Sequence, residues 1–156
     1  MRRNTKPPET QQRIDRKVRT LLASAKLRHT RQRSEILSLL VEKPGPFSTQ
    51  EIRSLIGQEA CDPVTIYRVL ENFEKARIVR RCDFSDGVGR YELAAGDKHH
   101  HHLVCTCCRR VEDLDSTDCP TQKLERSARA RGYAEVDHSL EIFGLCPHCQ
   151  TIAPPR

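Results

Sequence analysis

The sequence has few aromatic residues and no long apolar run. It contains no tryptophan, four phenylalanines and three tyrosines among 156 residues, and its hydrophobic content is 37%. This content allows one large domain or two small ones with a modest core. No stretch approaches the roughly 20 apolar residues needed to span a bilayer, and none resembles the core of a signal peptide. We therefore expect a cytoplasmic protein whose small core needs further support.

Acidic residues are scarce near the N-terminus. The first 33 residues hold eleven lysines and arginines but only Glu9 and Asp15, and the whole chain has a formal net charge of +6. Such an excess of positive charge favours a polyanionic partner, and nucleic acid before a membrane. A basic N-terminal region can equally be a solubilising tail.

Eight cysteines in a chain without a secretion signal indicate metal or redox chemistry rather than disulfides. Cys105-x-x-Cys108 and Cys146-x-x-Cys149 each allow one tight turn to bring two sulfurs to a tetrahedral ion. The long segment between the pairs is no obstacle, because the entropy cost of closing a loop grows slowly with its length. We predict a four-cysteine structural zinc site, with buried or disulfide-bonded cysteines as the alternative.

A run of four histidines, residues 99–102, leads directly into the first cysteine pair. Alternate residues of a strand share a face, so His100 and His102 point to one side while His99 and His101 point to the other. One histidine run can therefore supply two metal sites. Imidazole with carboxylate suits Fe(II), Mn(II) or Zn(II), although solvated histidines without a metal are the simpler alternative.

The N-terminal part has the pattern of a small helical domain followed by a hairpin. After a flexible arm over residues 1–12, apolar spacing and capping signals predict four helices and two strands. The first helix covers residues 13–25, and Thr30 caps the second. The third runs from the capping box Ser48-x-x-Glu51 to Gly57, and the fourth from Asp62-Pro63 to about residue 76. The two strands cover residues 78–83 and 90–93. This order is typical of a winged helix-turn-helix.

The last predicted helix has one apolar stripe and one exposed face. Its apolar positions are Ile66, Val69, Leu70 and Phe73. The exposed pair Tyr67 and Arg68 suits a helix placed in a major groove, since arginine can bind guanine or phosphate. On its own this pair is typical of any helix surface.

The fold class that follows is α+β. A winged helix-turn-helix DNA-binding domain, residues 13–93, precedes a hinge over 94–98 and a small α/β metal-binding domain over 99–156. The second domain is predicted as strand (101–105), strand (111–114), helix (from about 119 to 132) and strand (141–145).

Together these residues resemble the ferric uptake regulator family of bacterial metal-sensing repressors. The resemblance covers about residues 21–150 and rests on Thr30-Arg31-Gln32-Arg33, Thr65-Ile66-Tyr67-Arg68-Val69-Leu70, Gly89-Arg90-Tyr91-Glu92-Leu93, the segment from His100 to Cys108, His138-Ser139-Leu140-Glu141-Ile142 and Phe143-Gly144-Leu145-Cys146. It implies that residues 99–156 form an α/β dimerisation domain. It also implies a homodimer that binds palindromic operators in double-stranded DNA when a regulatory metal is present.

The resemblance also implies roles for individual residues. The structural zinc ligands are Cys105, Cys108, Cys146 and Cys149. The regulatory metal ligands are Glu92, His100, His102 and Asp113, with Cys82 as an additional candidate. A second, less complete set is His99, His101 and His138, with Gln122 standing where a glutamate is expected. The candidate DNA-binding residues are Arg28, Arg31, Arg33, Thr65, Tyr67 and Arg68.

The chain departs from the family pattern at several ligand positions. Pro46 stands where many members have a further histidine. Arg80 stands at a ligand position of zinc-sensing members, with Cys82 two residues further on, and Ala94 replaces the cysteine of some zinc sensors. Because Glu92 matches the iron-type position, we favour iron as the sensed metal. Cys61 and Cys107 are interpreted as incidental thiols rather than redox switches, and Cys119 is a remote candidate for the second ligand set.

The predicted function is metal-dependent transcriptional repression, in which an ion fixes the angle between the two DNA-binding heads of a dimer. A zinc-uptake or a peroxide-stress regulator of the same family is the alternative. A zinc-dependent hydrolase needs an oxyanion partner and a substrate pocket, which the sequence does not offer. We therefore expect no enzyme.

Overall fold

The chain divides into two units, residues 1–95 and residues 96–156. A computed structural model describes residues 8–43, 45–94, 100–115, 121–136 and 138–152. Within its described part, the first unit contains α1 (Pro8–Ser24), α2 (Arg31–Glu42), β1 (Phe47–Ser48), α3 (Thr49–Ile56), α4 (Pro63–Lys75), β2 (Val79–Asp83) and β3 (Gly89–Leu93).

Local hydrogen bonds start three of these helices as predicted. The Thr30 side chain accepts from the Arg33 N–H, and the Asp62 carboxylate accepts from the Thr65 N–H at 2.9 Å. Ser48 and Glu51 form the complete capping box. Helix α1 differs, because it begins at Pro8 and the predicted arm over residues 1–12 is too long. Proline is tolerated in a first helical turn, where no intrahelical donor is required.

The core of the first unit lies between the helices and the inner side of β2 and β3. Its fully buried side chains include the predicted stripe of α4. On α3, Ile52 is fully buried, whereas Leu55 is 45% exposed. The short helix buries only a narrow stripe around Ile52, and Leu55 lies outside it.

The strands of the first unit form an antiparallel sheet in the order β1-β3-β2. The predicted hairpin of β2 and β3 is confirmed, with Arg80 opposite Glu92. Strand β1 was not predicted, because a strand of two residues has no detectable alternation and depends on the distant pairing of Phe47 with Tyr91. The sheet and α4 together make the winged helix.

The second unit has a three-stranded sheet with parallel and antiparallel neighbours. Its described elements are β4 (His100–Cys105), β5 (Val111–Asp115), α5 (Gln122–Ala130), β6 (Glu141–Gly144) and α6 (Pro147–Ile152). The order is β5-β4-β6, with β4 antiparallel to β5 and parallel to β6. Strand–strand–helix–strand is the predicted order, and α6 is an addition. Residues 95–98 of the predicted hinge, His99 and Cys119 lie outside the described residues.

Within the described residues, no helix combines the length and the hydropathy that a bilayer crossing requires.

Candidate metal centres and DNA-binding helix

The two cysteine pairs meet at one end of the second sheet. Strand β4 ends at Cys105, and its parallel neighbour β6 ends one residue before Leu145-Cys146, with Cys105 opposite Gly144. The sulfurs of Cys105, Cys108, Cys146 and Cys149 all lie within 4.8 Å of one another. The structure therefore brings together the four residues that the spacing predicted.

The spacing of these sulfurs fits zinc. Cys108 Sγ and Cys146 Sγ are 3.8 Å apart, whereas a disulfide bond is only about 2.05 Å long. A tetrahedral ion with Zn–S bonds of about 2.3 Å places its sulfurs roughly 3.8 Å apart. The donor set of four sulfurs is that of structural rather than catalytic zinc, because it leaves no open position.

Backbone donors favour negative charge at this cluster. The N–H groups of Cys146, Cys108 and Cys107 lower the pKa of Cys105 to about 6, and the Cys146 N–H lies 3.3 Å from Cys105 Sγ. The pKa of Cys149 is raised instead, first by its hydrogen bond to Cys146 and then by burial. The Cys105 thiol is thus the one that ionises at neutral pH, and a metal ion would displace the protons of the other three thiols on binding.

Apolar burial within the second unit is small. Among its described residues, the buried hydrophobic side chains are Val104, Cys105 and Cys149. Helix α5 buries none of its residues. A unit with so little apolar core depends on a cross-link, which explains why the chain places four thiols where β4 and β6 end.

Two of the predicted regulatory ligands lie opposite each other in the second sheet. His102 is paired with Asp113 in the β4–β5 register, and His102 Nε2 lies 4.0 Å from Asp113 Oδ1. The His102 side chain is buried while that of Asp113 is 41% exposed. Imidazole nitrogen and carboxylate oxygen at this separation can share a divalent ion. His100 begins the same strand.

The predicted ligand from the first unit is already paired with a cation. Glu92 is 3% exposed, and its carboxylate Oε1 accepts a hydrogen bond from Nε of Arg80, the residue opposite it on β2. A carboxylate oxygen of Glu92 also lies within 4.8 Å of Cys82 Sγ. The ion pair was missed at the sequence level, although opposite charges facing each other across a hairpin are a recognisable signal.

A carboxylate also reaches His138, a member of the second predicted ligand set. The His138 Nδ1 lies 2.5 Å from Glu125 Oε1 on α5, and the rings of His101 and His138 are 5.6 Å apart between centroids. The pKa of Glu125 is lowered, mainly by this hydrogen bond. Sequence reasoning considered Gln122, which is exposed at the start of α5, and missed Glu125 less than one helical turn later.

Helix α4 presents the predicted DNA-binding face to solvent. Tyr67 is 52% exposed and Arg68 is also exposed, while the opposite stripe of the helix is buried in the core. Thr65, also predicted to bind DNA, has a structural task, because its hydroxyl and its N–H both bond to Asp62 at the helix start.

The predicted arginines before and within α2 are exposed or half-buried, and two of them have intramolecular contacts. Arg33 Nη1 donates to the Arg28 carbonyl at 2.9 Å, and Arg31 pairs with Glu35. An i,i+4 pair as exposed as this one is worth little in stability. Arg31 is therefore available for a phosphate.

The profile of the ferric uptake regulator family matches residues 24–143, which cover most of both units and include the first cysteine pair, Cys105 and Cys108. This chain belongs to the ferric uptake regulator family. A ferric uptake regulation protein of Legionella pneumophila is 35% identical over 132 residues, covering 83% of this chain and 96% of its own.

Solved structures agree with this assignment. The ferric uptake regulator of Vibrio cholerae superposes with a TM-score of 0.66 at 31% identity, covering 81% of this chain and 98% of that one. A zinc-bound manganese uptake regulator superposes with a TM-score of 0.64 at 30% identity, covering 83% and 98%. The protein is thus a metal-responsive regulator, from a family of transcriptional regulators rather than enzymes.

Proposed function

We propose that this member of the ferric uptake regulator family is an iron-responsive repressor that binds palindromic operators as a homodimer. The support for DNA binding is the exposed Tyr67-Arg68 face of α4 on a winged helix whose other stripe is buried. A net charge of +6 adds the attraction to phosphate that such a helix requires.

The proposed regulatory ligands are Glu92, His100, His102 and Asp113, with Cys82 as an additional candidate. The 4.0 Å separation of His102 and Asp113 supports the set. These nitrogen and oxygen donors suit Fe(II) and Mn(II), and also accept Zn(II). Metal binding stabilises the DNA-binding form, and reciprocally DNA tightens metal binding.

Zinc is proposed for the four-cysteine cluster, where it would hold the C-terminal segment to the sheet. The thiolate favoured at Cys105 and the sulfur spacing support this ion. Its contribution is structural, since four sulfurs complete a tetrahedron.

The homodimer is proposed on the exposed apolar surface of the second unit. Leu103 and Ile142 are neighbours in the β4–β6 register and are 38% and 41% exposed. Paired residues of neighbouring strands share a face of the sheet, so these two side chains form one exposed apolar patch. Burying such a surface in a two-fold interface offsets the scarcity of core in the unit.

Zinc sensing is the second candidate function, and one observation favours it. Cys82 Sγ lies within 4.8 Å of a Glu92 carboxylate oxygen, and a thiolate ligand shifts preference from iron towards zinc. A relative of known structure is a zinc-bound manganese uptake regulator, so the family framework accommodates more than one metal.

The proposal is tested by titrating operator binding with Fe(II), Mn(II) and Zn(II) at fixed salt, anaerobically for iron. The protein is the full chain with its structural zinc. We expect Fe(II) to promote binding at the lowest free concentration, and the double variant H100A/H102A to lose the metal response while remaining a folded dimer. His148→Ala, which removes an exposed histidine outside the proposed set, is the matched control. An unchanged metal response in the double variant contradicts the ligand assignment.

A further inference from the structure

The ion pair between Arg80 and Glu92 places a fixed positive charge where the proposed function needs a metal. The two residues face each other across the β2–β3 hairpin, and Nε of Arg80 donates to Glu92 Oε1. Charge-assisted bonds of this kind are among the stronger hydrogen bonds in proteins. The negative charge of the Glu92 carboxylate is therefore already balanced by Arg80 when no metal is bound.

The two partners differ in how freely they can move. The side chain of Glu92 is 4% exposed, whereas that of Arg80 is 37% exposed. The carboxylate is enclosed by its surroundings, but the guanidinium has a direct path to water. If Glu92 is to exchange Arg80 for another binding partner, the side chain that moves is therefore that of Arg80.

A divalent ion and a guanidinium cannot share this carboxylate at low cost. Arginine stays protonated and offers only donors, so it cannot become a ligand itself. Two positive charges within a few ångströms repel strongly where the effective dielectric constant is low. The incoming ion must either displace Arg80 from the carboxylate or bind beside its positive charge, and both cost binding free energy.

We propose that Arg80 is an internal competitor of the regulatory metal, and that it sets the metal concentration to which the protein responds. This inference rests on the proposed role of Glu92 as a metal ligand. Arg80 acts on the ion through Glu92, without contacting it, and holds the affinity down so that only high intracellular metal activates the protein. The alternative is that the pair merely fastens the hairpin.

The test measures Mn(II) affinity in the full chain with its structural zinc, by electron paramagnetic resonance of free Mn(II) at fixed salt. We expect Arg80→Gln to lower the Kd by roughly 10- to 100-fold, the range of typical coupling between two ligands. Arg80→Lys, which keeps the charge, should stay near the wild-type value. The matched control is Arg81→Gln, which removes an exposed arginine of the same strand pointing to the other face. A Kd for Arg80→Gln equal to or weaker than wild type overturns the inference.

If Arg80→Gln is less stable than wild type, melting temperatures measured with and without Mn(II) provide a second test. Without the Arg80 guanidinium, the buried charge of Glu92 lowers the stability of metal-free Arg80→Gln, and a bound ion should restore that stability. At the same Mn(II) excess, the rise in Tm should be larger for Arg80→Gln than for wild type. An equal or smaller rise argues for a fastening role alone and rejects competition.

Glu92→Gln separates this inference from the proposed function. If Glu92→Gln binds Mn(II) as wild type does, Glu92 is not a ligand, and both the ligand set and the inference fail. If Glu92→Gln weakens binding while Arg80→Gln leaves it unchanged, the ligand set stands and only the competitor role fails. With both roles correct, the double variant R80Q/E92Q loses the gain seen in Arg80→Gln.

Discussion

Arg109 follows the first cysteine pair in a backbone conformation that usually belongs to glycine. Its φ is +62°, and its N–H donates to the Cys105 carbonyl at 3.0 Å, which closes the turn that carries Cys108. A side chain in the left-handed region costs roughly 1–2 kcal/mol. The turn is held by its hydrogen bond and by the cysteine cluster in spite of this cost.

Arg109→Gly should therefore stabilise the zinc-loaded protein by roughly 1 kcal/mol. The substitution relieves the backbone strain, and part of that gain is offset because glycine raises the conformational entropy of the unfolded chain. Urea unfolding of protein with equal zinc content measures it. Arg110→Gly is the control, because Arg110 has no positive φ and pairs with Glu112; it should lose stability. No gain in Arg109→Gly would show that the turn is unstrained.

The pKa of Cys105, lowered to about 6 by backbone donors, predicts a titration in metal-free protein. The ultraviolet absorbance of thiolate should rise near pH 6, and Cys105→Ser should remove that step. Because the folded pKa lies below that of a free thiol, the ionised group stabilises the fold fully above about pH 9. That stabilisation is lost as the pH falls through 6. A first step near the ordinary thiol pKa would contradict this picture.

At the scale of elements, local signals were sufficient for the helices of the first unit. The start of α4 depends on Asp62 and Pro63 and its buried stripe on the 3.6-residue period, all within 13 residues. Strand β1 depends on the pairing of distant positions, which one sequence does not display. The Arg80–Glu92 pair follows from the register of the predicted hairpin, but that register was not worked out from the sequence. Glu125 was missed for a related reason, because helix phase decides which carboxylate reaches His138.

The capping box of α3 gives a prediction about stability. The Ser48 hydroxyl accepts from the Glu51 N–H at 3.2 Å, and Ser48 N–H donates to Glu51 Oε2 at 2.8 Å. Ser48→Ala should lower the free energy of unfolding by roughly 1–2 kcal/mol. Gln50→Ala, at an exposed position of the same turn, should change it by less than about 0.5 kcal/mol. Equal effects in denaturant unfolding would rule out the box as a significant contributor.

Helix α4 gives a prediction about DNA. Arg68→Ala should weaken operator binding by about 1–3 kcal/mol, because its exposed guanidinium is the proposed base or phosphate contact. Lys75→Ala, at the last turn of α4 and paired with Glu71, should have little effect. Fluorescence anisotropy at several salt concentrations also separates the two contacts: a lost phosphate contact reduces the salt slope by about one, whereas a lost base contact relaxes sequence preference. Equal losses in both variants would point to general charge alone.

At the scale of the whole molecule, the two units depend on different sources of stability. The first unit has its own cluster of buried apolar side chains, built from all four helices and the hairpin. Among the described residues of the second unit, few such side chains are buried, and the four cysteines supply the proposed cross-link. The cysteine spacing and the scarcity of aromatic residues indicated from the sequence that a metal site would support a small core. The identity of the metal at each site depends on ligand distances and angles, which sequence motifs do not specify.

Removing the structural metal should consequently destabilise one unit selectively. Cys108→Ser should lose zinc and exchange its amide protons faster along β4 and β6, while α2 and α4 keep their protection, as measured by hydrogen exchange. Cys107→Ser, at an exposed cysteine of the same turn outside the cluster, should retain both zinc and protection. Uniform loss of protection in both units would mean that they unfold as one.

The parallel pairing of β4 with β6, which sets Cys105 opposite Gly144, has a practical consequence for protein engineering. Sheet register, not proximity along the chain, aligns the two thiol pairs, so the intervening connection can be lengthened without disturbing the cross-link. The exposed turn at Gly132 and Tyr133 is thus a natural place to graft a reporter peptide. Shifting β6 by a single residue, by contrast, would separate the pairs and leave the cluster unable to close.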